Sequence, residues 1–143
     1  MSAHGWFYWA VFSAIFAAMT AIFAKIGLEG VDSDYATLIR TFVILLVLSG
    51  FVIFTGKWSD PFSLNPRTWL FLSLSGLATG ASWVCYFRAL QSGEASKVAP
   101  VDKFSLVLVA IFAVIFLNER PSIRDWLGIF LVSAGVVILS FRR

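Results

Sequence analysis

The 143 residues hold one cysteine, Cys85, and one histidine, His4. A lone cysteine excludes an internal disulfide and a thiolate metal site. A lone histidine near the start of the chain leaves no imidazole to activate a buried nucleophile or to join a zinc cluster. The sequence is therefore read as that of no enzyme, with no catalytic residue, no cofactor and no metal. Charge is also scarce. Asp, Glu, Lys and Arg make up 13% of the chain, against about 25% in soluble domains, so a water-soluble globule is excluded.

What the chain has in place of charge is oil. Hydrophobic residues are 59% of the sequence and the mean hydropathy is +0.88. Trp6 to Ala24 and Thr68 to Phe87 each run without an acidic or basic residue. A membrane-crossing helix needs about 20 mostly apolar residues, set by a hydrocarbon core about 30 Å thick and a rise of about 1.5 Å per residue. Five segments meet that length: 5–28, 35–55, 68–90, 98–117 and 123–141. The predicted fold class is all-α integral membrane, a bundle of five transmembrane helices forming a single domain over 1–143. The lipid bilayer is its solvent, and the helices build their core by packing on one another in it. An odd number of crossings places the termini on opposite sides. The first segment does not read as a cleavable signal peptide: it is too long, lacks a basic leader, and starts between Trp6 and Trp9.

The net charge is +3, but the basic residues sit at segment ends and in short loops, with no basic stripe and no nucleic-acid motif. They read as topology signals and headgroup contacts, so no nucleic acid is expected as a partner. The connections are short. The longest, Gly56 to Arg67, carries Pro61, Asn65 and Pro66; Gln91 to Glu94 ends the third segment; Ser96 is the expected N-cap of the fourth. Asn118-Glu119-Arg120-Pro121 predicts a tight turn that folds the last two segments into an antiparallel hairpin. Small residues mark where helices can approach closely, inside one bundle or at a subunit interface: Ser13, Ala17 and Ala21; Gly76 and Gly80; Gly128, Ser133, Ala134 and Gly135.

The informative polar groups lie inside the segments. Arg40, Asp102 and Lys103 fall four or five residues in, about 7 Å along a helix axis, and Lys25 lies just before the end of the first segment. Helix parity places these four, with Arg88, towards one side of the membrane. A charge at mid-span costs about 2.5–3.5 kcal/mol, less where a long side chain snorkels outward. Snorkelling accounts for Lys25, Arg40 and Lys103. Asp102 is too short for it, and successive helical residues diverge by about 100°, so Lys103 is a poor partner. The expected arrangement pairs Asp102 across helices with Arg40 or Lys25 at the mouth of a polar cavity. Trp83 and Tyr86 are read two ways, as lipid-facing filler or as aromatic walls for an amphipathic metabolite, with cation–π attraction for cationic groups; Phe87 reads as lipid-facing filler.

The order of short motifs is familiar. Phe23-Ala24-Lys25-Ile26-Gly27-Leu28, Ala36-Thr37-Leu38-Ile39-Arg40-Thr41, Trp83-Val84-Cys85-Tyr86-Phe87-Arg88-Ala89-Leu90 and Ala99-Pro100-Val101-Asp102-Lys103 resemble the EamA domain of the drug/metabolite transporter superfamily. So does Leu117-Asn118-Glu119-Arg120, followed by Gly128 and Gly135. The likeness covers essentially the whole chain. It implies one half of a ten-helix transporter, since most members carry two such domains as inverted repeats around a central cavity. Half a pore needs a second wall, so the resemblance also implies a homodimer or a partner subunit, and an antiparallel dimer would reproduce the inverted pair. Loop charges allow either orientation: Lys57, Arg67, Arg120 and Arg124 face Arg88, Lys97, Lys103, Arg142 and Arg143. Adding Lys25 and Arg40 to the second set favours a cytoplasmic C-terminus.

One departure stands out. The small multidrug resistance branch couples export to protons through a glutamate in its first helix, and here Trp6 to Ala24 holds no carboxylate. Glu119, matching the family's acid after the fourth helix, is expected to partner Arg120 or Arg124. The function implied is a carrier in the cytoplasmic (inner) membrane of the cell. It moves small metabolites or drug-like compounds by alternating access, with Lys25, Arg40, Asp102 and Lys103 at its mouth and Trp83 and Tyr86 in its wall. The cationic excess would suit a substrate with a carboxylate, such as an amino acid. The rival reading is a non-transporting module that assembles with or stabilises a partner membrane protein.

Overall fold

The structure, a computed structural model, describes residues 5–141; His4, Arg142 and Arg143 lie outside the described residues. The order is α1 (Gly5–Gly27), α2 (Ser33–Phe54), a 3-10 turn (Pro61–Ser63), α3 (Pro66–Ser92), α4 (Ala95–Asp102), α5 (Ser105–Leu117) and α6 (Ile123–Phe141), with no strand among the described residues. Five helical spans are long and apolar enough to cross a membrane, α4 and α5 counting together as the fourth. Most of their large apolar side chains are exposed, Phe16, Leu45, Leu77 and Ile138 among them. Lipid, not water, is the medium that tolerates such a surface. The chain is an all-α, multi-pass membrane protein.

Local chemistry sets the helix ends. Asp32 caps α2, its Oδ1 accepting from the backbone N–H groups of Asp34 at 2.9 Å and Tyr35 at 3.1 Å. Gly30, at φ 73°, makes the preceding turn. The Asn65 carboxamide oxygen accepts from Arg67 N–H at 2.9 Å, just ahead of α3, which opens on Pro66. The indole of Trp69 donates to the Pro61 carbonyl at 2.8 Å and ties the 3-10 turn to α3. Asn118 adopts left-handed φ 53° at the end of α5, a conformation that Asn tolerates better than most residues. Ser122 and Asp125 then form a reciprocal cap: the Ser122 N–H donates to Asp125 Oδ2 at 2.7 Å, while the Asp125 N–H donates to Ser122 Oγ at 3.3 Å.

The fourth segment departs most from expectation. Its helix starts at Ala95 behind an N-cap Glu94, so Ser96 is a helical residue and not the cap. It then breaks at Lys103 and Phe104. There the N–H groups of Lys103, Phe104, Leu106 and Val107 each bond the carbonyl three residues back, at 3.0–3.1 Å. The chain tightens towards 3-10 geometry one turn after Pro100, which has no N–H to give.

The chain divides into two compact units, Met1–Ser92 and Gly93–Arg143, each described by itself. In the first, α3 packs on both α1 and α2. Its core gathers near the close of α1, the start of α2 and the end of α3: Ala21, Leu28, Phe87 and Leu90, with the buried hydroxyls of Ser33 and Thr37. Thr37 donates to the Ser33 carbonyl and Thr41 to the Thr37 carbonyl, both at 2.7 Å, so these polar side chains are satisfied within α2. In the second unit, α6 packs on α4 and α5, burying Val136.

The close approach expected at the small-residue stripes is absent at the glycines. A Cβ built on Gly76, Gly80, Gly128 or Gly135 would meet nothing within 4 Å. Buried residues of α3 lie in its second half, at Phe87 and Leu90, so Gly76 and Gly80 sit beyond the packed zone.

Candidate functional site

The site begins with one arginine. Arg40 lies two turns into α2, one turn beyond the buried Thr37. Its guanidinium carbon stands 4.3 Å from the centre of the Trp83 ring and 5.1 Å from that of Phe87, both on α3. Such distances fall within the about 6 Å reach of a cation–π contact. Both rings lie within reach of the cation, and a guanidinium also carries five N–H donors at its edges. The Arg40 Nη1 atom is buried and has no hydrogen-bond partner. Arg40 takes part in none of the ion pairs of the described residues, which join Arg88 to Asp34, Lys97 to Glu94 and Lys103 to Asp102. Its charge is therefore held beside aromatic rings and paired with no carboxylate among the described residues.

Beside it opens a cavity of about 400 Å³. Thr20, Phe23, Ala24 and Gly27 of α1 form one wall, and Val31, Ala36, Ile39 and Arg40 another. Phe87 closes it from α3. The expectation that Phe87 is lipid-facing filler is overturned: it is 3% exposed, a core residue and a wall of the cavity. The edge-on contact with Tyr86, ring centres 6.4 Å apart, continues the aromatic cluster. Trp83 and Tyr86 are both half-buried.

A polar latch closes the same end of this unit. Lys25 Nζ donates to the Leu90 carbonyl at 2.6 Å, joining α1 to α3. Arg88 grips Asp34 with two parallel bonds, Nε to Oδ1 at 2.9 Å and Nη2 to Oδ2 at 2.6 Å, joining α3 to α2. Gln91 Nε2 donates to the Val31 carbonyl at 2.8 Å and secures the intervening loop. The fork-on-fork geometry is the strong form of an Arg–carboxylate contact. Sequence reasoning missed Asp34 and Gln91 as parts of this latch. A charge of each sign on the same side of the membrane, Asp34 and Arg88, was the available signal.

In the second unit Asp102 and Lys103 do face each other, with Nζ 3.3 Å from Oδ2. The divergence expected of neighbours applies to an intact helix. Asp102 is the last residue of α4 and Lys103 its cap, so the break lets the two side chains converge. The sequence left Asp102 to find a partner on another helix; the structure supplies one next door. Glu119 makes no ion pair with Arg120 or Arg124 among the described residues. The carboxylate engaged at that turn is Asp125, through Ser122. Glu119, Arg120 and Asp125 border a second cavity of about 490 Å³ between α5 and α6.

Among the described residues no group of three or more His, Cys, Asp or Glu side chains could hold a metal ion. What the Arg40 site can do is attract an anion while receiving an apolar body.

Comparison with known proteins places this geometry in context. An uncharacterized transporter of a Sinorhizobium species, from the cobO 3' region, is 56% identical over 135 residues, covering 94% of this chain and 96% of its own. The uncharacterized transporter YxxF of Bacillus subtilis is 24% identical over 136 residues, covering 94% of this chain but 42% of its own. In Yersinia pestis, the probable 4-amino-4-deoxy-L-arabinose-phosphoundecaprenol flippase subunit ArnE is 28% identical over 85 residues, covering 59% of this chain and 75% of its own. No solved structure matches the chain. The model of the EamA-like transporter family matches residues 4–141, and the chain belongs to that family.

Proposed function

We propose that the protein is a carrier of the cytoplasmic membrane that moves small metabolites or drug-like compounds by alternating access, and that it works as a dimer. The observation that carries the reading is the Arg40 site, an uncompensated cation beside a cavity of about 400 Å³. An unpaired charge within a membrane span is costly and marks a substrate or ion path by default. In this reading Lys25, Arg40, Trp83 and Tyr86 line the path in the first unit. Asp102 and Lys103 line it in the second, at the break between α4 and α5. Irregular backbone inside a span is tolerated where it borders protein or a wet cavity. Both units then serve a single transmembrane domain. A substrate carboxylate, the group that an amino acid also presents, is the natural counter-charge.

Two observations support the second copy. The chain corresponds to 42% of the length of a transporter such as YxxF, as one of two equivalent halves would. The glycine face of α3 has no neighbour within contact distance, and small residues are the usual meeting points of membrane helices. A second reading rests on one specific finding: ArnE, similar over 59% of this chain, is named a flippase subunit. On that reading the chain assembles with a different membrane protein and moves nothing alone.

Reconstitution into proteoliposomes separates the two. A carrier gives saturable uptake of labelled organic acids by the purified chain alone. A partner module gives none until a second protein is supplied.

A further inference from the structure

We infer that the Arg40 cavity selects a monoanion with an apolar body and disfavours zwitterions, amino acids included. The inference deepens the carrier reading by naming the substrate class of the same site. It stands on three observations in the first unit.

The first is charge count. Among the described residues that line the cavity, Arg40 is the only charged one and Thr20 the only other with a polar side chain. A single positive charge neutralises a single negative one. A dianion would leave net charge against a mostly apolar wall, where an unpaired ion is penalised. The second is the state of the aromatic faces. An ammonium group entering the cavity would look for a ring face or a carboxylate. Arg40 already lies over Trp83 and Phe87, and Asp34 is committed to Arg88 outside the cavity lining. An amino acid would satisfy Arg40 with its carboxylate and leave its own ammonium, among the lining side chains, only the Phe23 ring and no carboxylate. The third is the wall. Phe23, Ala24, Gly27, Val31, Ala36 and Ile39 offer apolar surface around the volume, suited to an alkyl or aryl body. The size, about 400 Å³, is towards the lower end of the about 300–1,000 Å³ of small-molecule sites.

The same chemistry has two sources: a free carboxylate such as a medium-chain acid, or the phosphodiester of an anionic lipid whose tails lie against the apolar wall. The experiment distinguishes them. The full chain, in nanodiscs of phosphatidylcholine, is titrated by calorimetry with octanoate, octanamide and 2-aminooctanoate. These share an eight-carbon chain and carry an anionic, a neutral and a zwitterionic headgroup. Octanoate is expected to bind saturably. Octanamide and 2-aminooctanoate are each expected to bind at least about tenfold more weakly, the scale of one lost charge-assisted hydrogen bond or one unpaired buried charge. Arg40→Gln should erase the preference for octanoate. Should that variant not fold, the ligand series decides by itself. Equal binding of octanoate and octanamide, or tighter binding of 2-aminooctanoate, overturns the inference. So does an unchanged octanoate affinity in folded Arg40→Gln.

Repeating the titration in discs containing phosphatidylglycerol, at high salt to screen surface potential, identifies the source. A weakened octanoate affinity assigns the site to a lipid phosphodiester; an unchanged one assigns it to a free acid, and both agree with the monoanion class. Failure here is separable from failure of the carrier reading. Selective octanoate binding without flux of any acid removes the carrier and leaves the site. Saturable flux of amino acids with no octanoate preference does the reverse.

Discussion

Arg40 on α2 presents its guanidinium to the face of Trp83 on α3, 4.3 Å from the ring centre. The contact holds the cation without spending its N–H donors on an oxygen acceptor, and the Nη1 atom, which has no hydrogen-bond partner, is left to meet an anion in the adjoining cavity. Trp83→Phe keeps a ring and should hold substrate affinity within a few-fold. Trp83→Leu removes the face, and affinity should fall by about 3–10-fold, the range of a partly exposed cation–π contact. The apparent affinity of uptake in proteoliposomes measures both.

The Arg88–Asp34 clasp and the Lys25 bond to the Leu90 carbonyl hold α1, α2 and α3 together at one end. Arg88→Asp and Asp34→Arg should each lower the thermal stability of the chain in nanodiscs. The double swap should recover about half of the loss or more, as expected for residues in direct contact. A double variant no more stable than the worse single one would show that the clasp contributes nothing.

Ser122 and Asp125 cap α6 reciprocally, with the Ser122 hydroxyl also donating to Asp125 Oδ2 at 2.8 Å. Ser122→Ala should destabilise the second unit by about 1 kcal/mol, the usual loss at an N-cap. Ser122→Thr, whose hydroxyl can both accept from the Asp125 N–H and donate to its carboxylate, should retain most of the cap. Hydrogen exchange at the first turn of α6 reads the difference.

Gly76 and Gly80 leave open space where a side chain would go. Gly80→Leu is therefore expected to preserve the helical content and thermal stability of a single chain. If a second copy packs on this face, the same variant should raise the dimer dissociation constant by at least about tenfold. Subunit-exchange fluorescence in nanodiscs checks it; an unchanged constant would move the interface elsewhere.

The architecture was legible because the bilayer imposes it. A span without charge such as Trp6 to Ala24 admits little but a helix. Turn residues such as Asn118 and Pro121 declare the boundaries. The break at Lys103 was not legible, since Pro100 alone does not say whether a membrane helix kinks or continues. The Ser96 cap was misjudged for a related reason: the helix begins earlier, behind Glu94, so the residue best suited to capping falls inside it. At the candidate site, depth within a span is what singles out Arg40 in the sequence. The nature of its surroundings does not show there. Periodicity cannot tell a core phenylalanine from a lipid-facing one when both media are oily, so in the sequence Phe87 reads as filler. The Asp34 clasp escaped notice because Asp34 sits beside a capping aspartate and looks like a loop residue.

The most direct test of the whole account is the uptake of a labelled monocarboxylate by proteoliposomes carrying the wild-type chain, Arg40→Lys or Arg40→Gln. Saturable wild-type transport, partly retained with lysine and reduced at least about tenfold with glutamine, is the result predicted for a site whose charge meets the substrate. Equal transport by the glutamine variant, folded and reconstituted in equal amount, would contradict it.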